Sequence, residues 1–267
     1  MKELYIIGHN ANSINEAIEH LSDGANGLQA DICFIPNTFE KFYLHEKQPV
    51  SEFEVTELYG MIKDGEVTSL KNFLHEVSGL LGTNPRFRLS MIFLNLIQPY
   101  DIDINELFGV IRQNLKGDLA STMVLAAASG QSAAPLFAAL VQQGSNEAVS
   151  INDDITPRSA DKFFSRLHFN YGYGTGTAMP ALSSAADSFT DRARIAVSMK
   201  SSGEAAGMKV IYAMVVNSES SMKTYLDIGV DAIITDRPGR LRNLVESKLY
   251  NRKFSLAGRC KPADRDP

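Results

Sequence analysis

Short apolar, β-branched runs alternate with amphipathic stretches from one end of the chain to the other. Leu4–Asn10, Gly27–Ile35, Phe87–Ile97, Thr122–Ala128, Ala148–Asn152, Phe163–Phe169, Lys209–Val216 and Asp231–Thr235 have the composition of strands. Between them, Asn12–Leu21 sets Ile14, Ala17, Ile18 and Leu21 on one helical face, with Asn12 or Ser13 available as N-cap. Ser69–Leu81 does the same with Leu70, Phe73, Leu74, Val77 and Leu81. Ile104–Leu115, Ala133–Gln142, Asp191–Ala206, Ser220–Ile228 and Leu241–Leu249 complete the helical series, and Gly24, Gly144, Gly207 and Gly229 follow helical runs where a helix commonly ends. Strand and helix in such regular alternation predict a (β/α)8 TIM barrel, a single α/β domain over residues 1–267 with a C-terminal tail at 255–267. A doubly wound open sheet shares this periodicity. The glycine-dense run Tyr171–Thr177 follows a predicted strand and reads as a loop at the functional end, and it lacks the spacing of a phosphate-binding P-loop.

Composition narrows the partners. The chain has 267 residues, 44% of them hydrophobic and 21% charged, as in a globular protein with a large core. A formal net charge of −5 with no basic block argues against a broad grip on nucleic acid. Cys33 and Cys260 lie far apart, so no disulfide framework can be read. No apolar run reaches the ~20 residues of a transmembrane segment. No signal peptide precedes Leu4, so a full-length chain is expected in the cytoplasm.

Four segments carry a resemblance. Gly8-His9-Asn10-Ala11-Asn12 has the form G-H-x-x-N, and Gly24–Asp31 has the form G-A-N-x-[IL]-E-x-D with Gln29 at the glutamate. Tyr43-Leu44-His45 matches Y-x-H, and Leu226–Pro238 closely resembles L-x-x-G-V-D-G-I-x-T-N-x-P, with Ala232 at the second glycine and Asp236 at the asparagine. In this order they resemble the sphingomyelinase D/phospholipase D toxin-like branch of the glycerophosphodiester phosphodiesterase superfamily. The tail Ala263–Pro267 resembles an acidic, proline-containing motif that plugs the barrel bottom in that branch. The resemblance implies a TIM barrel in which His9 and His45 face each other across a phosphodiester, one as nucleophile or base and the other as general acid. It also implies a small-molecule or lipid substrate and a magnesium ion held by acidic residues between the histidines.

The sequence departs from that pattern at the metal. Gln29 stands for the glutamate, Asn95 for the third-strand aspartate and Ile97 for a phosphate-binding lysine, leaving Asp31 as the one carboxylate ligand. Thr175 replaces the acid of the glycine loop, and Ala213–Val216 replaces a segment with an aromatic and an acid. The amides keep the shape of the acids and lose their charge, so magnesium is expected to be weakly held by Asp31 with Gln29 and Asn95, or not at all. His168, Tyr171 and Tyr173 join Gln29 and Asn95 as candidate substrate-binding residues, whereas His20 and His75 fall in helices as surface or packing residues. Three functions fit: a phospholipase D-like lyase or phosphodiesterase with weakened or lost magnesium dependence; a metal-independent cyclase, lyase or isomerase on a less charged, apolar molecule; and a non-catalytic binding barrel.

Overall fold

The computed structural model describes residues 1–45, 52–97, 102–152, 155–175 and 183–258. In chain order it runs β1 (Lys2–Gly8), α1 (Ile14–Ser22), β2 (Gly27–Phe34), β3 (Phe42–Leu44), α2 (Glu52–Asp64), α3 (Leu70–Thr83), β4 (Met91–Leu96) and α4 (Ile104–Asn114). It continues with β5 (Met123–Ala128), α5 (Ala133–Ala138), β6 (Glu147–Ile151), α6 (Pro157–Leu167) and β7 (Tyr171–Thr175). The remainder is α7 (Ser183–Ser202), β8 (Met208–Ala213), α8 (Glu219–Ile228), β9 (Ala232–Thr235), α9 (Pro238–Glu246) and β10 (Phe254–Leu256).

The parallel sheet closes on itself in the order β1-β2-β4-β5-β6-β7-β8-β9, because β1 pairs with both β2 and β9. This is the expected (β/α)8 barrel, and the open-sheet alternative falls away. Two short strands sit outside the ring: β3 runs antiparallel to the end of β2, and β10 runs parallel to the start of β1. None of the described helices is long and apolar enough to cross a membrane.

Two apolar layers follow from the strand period of two. Ile7, Met91, Phe93, Leu125, Val210, Tyr212 and Ile234 fill the barrel interior. Alternate residues such as Ile6, Leu28, Leu94, Ala126 and Ile211 point outward and pack beneath the helices. The helices begin where the side chains dictate. Ser13 caps α1 by accepting the Glu16 amide, and its hydroxyl reaches the Glu16 carboxylate at 2.9 Å, a reciprocal cap. Ser69 and Thr156 cap α3 and α6 in the same way.

Several motif residues prove to be structural and lie at the barrel's N-terminal end. Asn26 accepts the Ile6 amide at 2.6 Å and donates to the carbonyls of Leu4 and Ala257, tying β10 to the ring. Buried Asp231 holds Lys2 and Lys200 at 2.9 and 2.7 Å and accepts the Ile211 amide.

Two sequence expectations are corrected here. Phe163–Phe169 is not a strand: Phe163 and Phe164 belong to α6, which starts at a Thr156 cap with Pro157 in its first turn and buries Ala160 and Phe164. The strand is the glycine-dense run itself, β7, so Tyr171–Thr175 is not a loop. Its tyrosines point outward into the helical layer, while its glycines face the Tyr212 ring inside. A Cβ on Gly174 would lie 2.6 Å from that ring, and one on Gly172 would lie 2.9 Å from Leu125 and 3.2 Å from Tyr212. Residues 176 and 177, the acidic tail Ala263–Pro267 and Cys260 lie outside the described residues.

Candidate active site at the C-terminal mouth

A cavity of about 330 Å³ opens at the C-terminal ends of β1, β2, β4, β8 and β9, where barrel enzymes build their sites. His9, Asn10, Gln29, Asp31 and Asn95 supply its polar wall, and Phe93, Ile97, Met214, Val215 and Ile234 its apolar wall. The strand period places these groups: Gln29 and Asp31 alternate inward on β2, as Phe93 and Asn95 do on β4. The ladder then sets Gln29 beside Phe93 and Asp31 beside Asn95.

Asp31 is buried and enclosed by amides. Gln29 Nε2 and Asn95 Nδ2 donate to its Oδ1 at 2.9 and 2.7 Å, and Asn12 Nδ2 donates to its Oδ2 at 3.3 Å. Asn12 also accepts the Asp31 backbone amide at 2.7 Å, and Gln29 Oε1 accepts the Asn10 amide at 2.9 Å. Turning the Gln29 or Asn95 amide over would set a carbonyl oxygen against a carboxylate oxygen, so the acid itself fixes their orientation.

This cluster does not fit magnesium. A hard divalent cation needs converging oxygen ligands, preferably anionic, and here nitrogen donors converge on a single carboxylate. Among the described residues no group of three or more His, Cys, Asp or Glu side chains could hold a metal ion. The amide hydrogens point at the oxygens that a cation would use and offset part of the carboxylate's charge by hydrogen bonding instead.

His9 follows β1 and is held from several sides. Its amide donates to the Thr235 carbonyl at 3.1 Å, and its Nδ1 lies 2.7 Å from Asp236 Oδ1. A carboxylate only accepts, so neutral His9 carries its proton on Nδ1 and the nitrogen left to accept a proton is Nε2. Asp236 is fixed in turn by Asn217, whose Nδ2 donates to its Oδ2 and whose Oδ1 accepts its backbone amide at 2.9 Å. Asn217 Oδ1 also accepts the Thr235 hydroxyl at 3.0 Å. Sequence reasoning missed Asp236 and Asn217. The signals were a polar residue beyond each of the last two barrel strands and, at position 236, a departure from the family motif, which has asparagine there; Asn217 lies one position beyond the segment compared with the family pattern.

His45 follows β3, and its backbone amide donates to the Asp31 carbonyl at 3.0 Å, which sets it at the same end of the barrel as His9. His45 is not among the residues that line the cavity itself, and the other three candidates stand farther from it. His168 is the left-handed C-cap of α6 (φ 57°), on the connection that enters β7 from the barrel's N-terminal end. Tyr171 stacks on Phe164 and donates to Asp161 at 2.7 Å, and Tyr173 donates to the Ile155 carbonyl at 2.8 Å. Burial, followed by the Asp161 contact, pushes the Tyr171 hydroxyl far above the usual tyrosine range. Both tyrosines anchor the helical layer, and neither they nor His168 line the cavity.

Below the cavity floor, Tyr212 Oη lies 2.8 Å from Ser150 Oγ and donates to Asn152 Oδ1. Full burial holds that phenol protonated well beyond its ordinary range. It therefore acts as packing and a hydrogen-bond donor.

Comparison with known proteins agrees with this architecture. The family model described as dermonecrotic toxin SPH matches residues 144–262, less than half of the chain. That stretch contains Asn217 and Asp236 but not His9, Gln29, Asp31 or Asn95. No curated protein matches the chain. Among solved structures, a glycerophosphodiester phosphodiesterase from Parabacteroides distasonis superposes with a TM-score of 0.62 at 18% identity, covering 93% of this chain and 100% of its own. An Oleispira antarctica phosphodiesterase in complex with the product sn-glycerol-3-phosphate gives 0.60 at 17% identity, with 91% and 97% covered. A putative glycerophosphoryl diester phosphodiesterase from Silicibacter pomeroyi gives 0.56 at 11% identity, with 96% of each chain covered. The chain therefore has a TIM-barrel fold similar to that of these glycerophosphodiester phosphodiesterases, with a sequence match to the SPH family model over residues 144–262.

Proposed function

We propose that the chain is an acid–base enzyme on a phosphodiesterase-type barrel, working through His9 and His45 without a divalent cation. The observation that carries this is the pairing of His9 Nδ1 with Asp236 at the edge of a cavity whose one buried acid is saturated by amides. Asp236 fixes the tautomer and supports the imidazolium that forms when Nε2 takes a proton. His45, tied to the backbone of Asp31, is assigned the complementary role of donating a proton to the leaving atom. Asp31 holds the floor of the site in register through its three amide partners and takes no part in proton transfer.

Two substrate classes have support from different observations. The phosphodiesterase-like fold and the SPH match favour cleavage of a phosphodiester, and the resemblance carried by the sequence motifs makes the candidate a choline- or ethanolamine-type one, cleaved by internal attack of a substrate hydroxyl. In such a step His9 removes the hydroxyl proton, the new P–O bond forms, and His45 protonates the departing alcohol. The lining favours a less charged molecule: Ile97 stands at the expected lysine, and Phe93, Met214, Val215 and Ile234 are apolar. A less charged pocket suits a cyclisation, elimination or isomerisation on a small apolar compound.

The test is release of choline or ethanolamine from the corresponding phospholipids, measured with added magnesium and with EDTA. Equal release under both conditions, abolished by His9→Gln, supports the metal-free phosphodiester reading. No release under either condition moves the substrate to the less charged class. Release that requires magnesium overturns the metal-free site.

A further inference from the structure

His20 sits on the inner face of α1, and nothing in the proposed chemistry uses it. Its Nε2 lies 2.7 Å from the carbonyl oxygen of His9, and because a carbonyl only accepts, the His20 N–H is the donor. Its ring also occupies the space where residue 8 would carry a side chain. A Cβ on Gly8 would lie 2.3 Å from His20 Cγ, 2.5 Å from its Cβ and 2.7 Å from its Cδ2. Real Cβ atoms do not approach neighbours that closely, so a glycine before His9 and an imidazole at position 20 are two halves of one contact.

The contact sits at a demanding point of the chain. Immediately after His9 the backbone turns through a left-handed residue, Asn10 (φ 57°), whose amide is spent on Gln29 Oε1. The His9 amide is spent on Thr235. The His9 carbonyl is the remaining backbone group of that residue, and His20 fixes it.

We infer that His20 is a positioning residue that, by wedging against Gly8 and donating to the His9 carbonyl, holds the His9 peptide in the orientation that turns Nδ1 onto Asp236. This rests on His9 as the proton-accepting residue of the proposed site, but its test does not require knowing the substrate.

The experiment uses the full chain labelled with 15N-histidine, with long-range 1H–15N spectra recorded at about pH 8.5, where ordinary histidines are neutral. His9 is assigned by the signal lost in His9→Gln. In the native protein its neutral ring is expected almost wholly in the Nδ1–H form. His20→Leu fills the space and removes the donor, and should shift the tautomer ratio toward Nε2–H by about fivefold, the size of one hydrogen bond's net contribution. His20→Gln, whose amide nitrogen reaches about as far as Nε2, should restore the native ratio, which mere filling of space would not do. Gly8→Ala displaces the His20 ring from the other side, and it reads the same shift if His20→Leu fails to fold. An unchanged tautomer ratio in His20→Leu or Gly8→Ala overturns the inference, as does a Gln variant that behaves like Leu. Full turnover by His9→Gln would instead remove the proposed chemistry while leaving the coupling of His20 to His9 intact, so the two failures are distinguishable.

Discussion

Asn95 stands directly beside Asp31 in the β2–β4 ladder and donates its side-chain amide to the acid at 2.7 Å. An aspartate at position 95 would face Asp31 with like charge at that distance, a pair that needs either a cation between the two acids or a proton on one of them. The amide supplies from within the chain what a metal would otherwise provide, since its N–H offsets part of the carboxylate's charge.

The double variant Gln29→Glu/Asn95→Asp is therefore expected to exchange one solution for the other. Without divalent cation it should be about 1–3 kcal/mol less stable than the native chain, because three carboxylates converge and Asp31 loses the two hydrogen bonds from residues 29 and 95. With magnesium it should recover, by about 2.7 kcal/mol at a hundredfold excess over its Kd. The native chain's urea midpoint should not respond to magnesium at all. Denaturation curves of both proteins, with and without the ion, check this; a magnesium-stabilised native chain would mean that the amide cluster rearranges to bind metal.

Asp236→Asn should separate charge from shape at His9. The amide can still fill the place of the carboxylate, but it cannot stabilise the imidazolium, and it competes for the same partners on Asn217. Turnover of the substrate that the release assay or a ligand search identifies should fall by at least about tenfold in kcat with little change in KM. His9→Gln should cost about 10²- to 10⁴-fold, the usual contribution of a general base. If Asp236→Asn retains native kcat, the His9–Asp236 contact is only a surface contact.

Much of the barrel was legible because apolar runs and amphipathic stretches have different periods: β2, β4, β5 and β9 fall within the strand-like runs, and β1, β6 and β8 overlap theirs. The failure came at Phe163–Phe169 and Tyr171–Thr175, and its cause is physical. A strand whose inward positions are Gly172 and Gly174 sends no apolar signal for that face, because Tyr212 on the neighbouring strand fills the space. The adjacent Phe163 and Phe164 then drew the strand assignment, although Thr156-Pro157 was a helix start in plain view. The same error carried Tyr171, Tyr173 and His168 into the candidate site. His9, Gln29, Asp31 and Asn95 were legible from motif order alone. Asp236 was not, because its role depends on two chain segments 227 residues apart meeting across the β1–β9 seam.

Gly174→Ala should be among the most damaging conservative changes in the chain. The added methyl would lie 2.6 Å from Tyr212 ring atoms, and the fully buried ring has no open side to move toward. Overpacking of this kind costs about 1–3 kcal/mol. Adding Tyr212→Leu should return part of that loss, giving a coupling of at least about 0.5 kcal/mol in a double-mutant cycle measured by urea denaturation. Strict additivity of the two changes would show that β7 tolerates a side chain by some other adjustment.

Cys33 offers a pH test of a third, smaller apolar cluster outside the two barrel layers, in which it packs with Ile35, Tyr43, Leu58 and Val67. Burial pushes its thiol up to about 12 from the ordinary value of 9.0. The unfolded chain therefore releases this proton first. Between pH 9 and 12 the unfolded state binds fewer protons than the native state, so stability must fall as pH rises through that window and be unaffected below it. The loss attributable to this one group should be about 1.4 kcal/mol at pH 10 and should steepen toward about 1.4 kcal/mol per further pH unit. Cys33→Ala removes the group, so the difference in stability between native and variant should narrow by that amount between pH 8 and pH 10, while other alkaline titrations cancel. In a Cys260→Ser background, Cys33 should also stay unreactive toward a thiol reagent at pH 8 until the protein is unfolded. Rapid labelling of the folded protein, or a stability difference independent of pH, would mean that solvent reaches the thiol between β2 and α2.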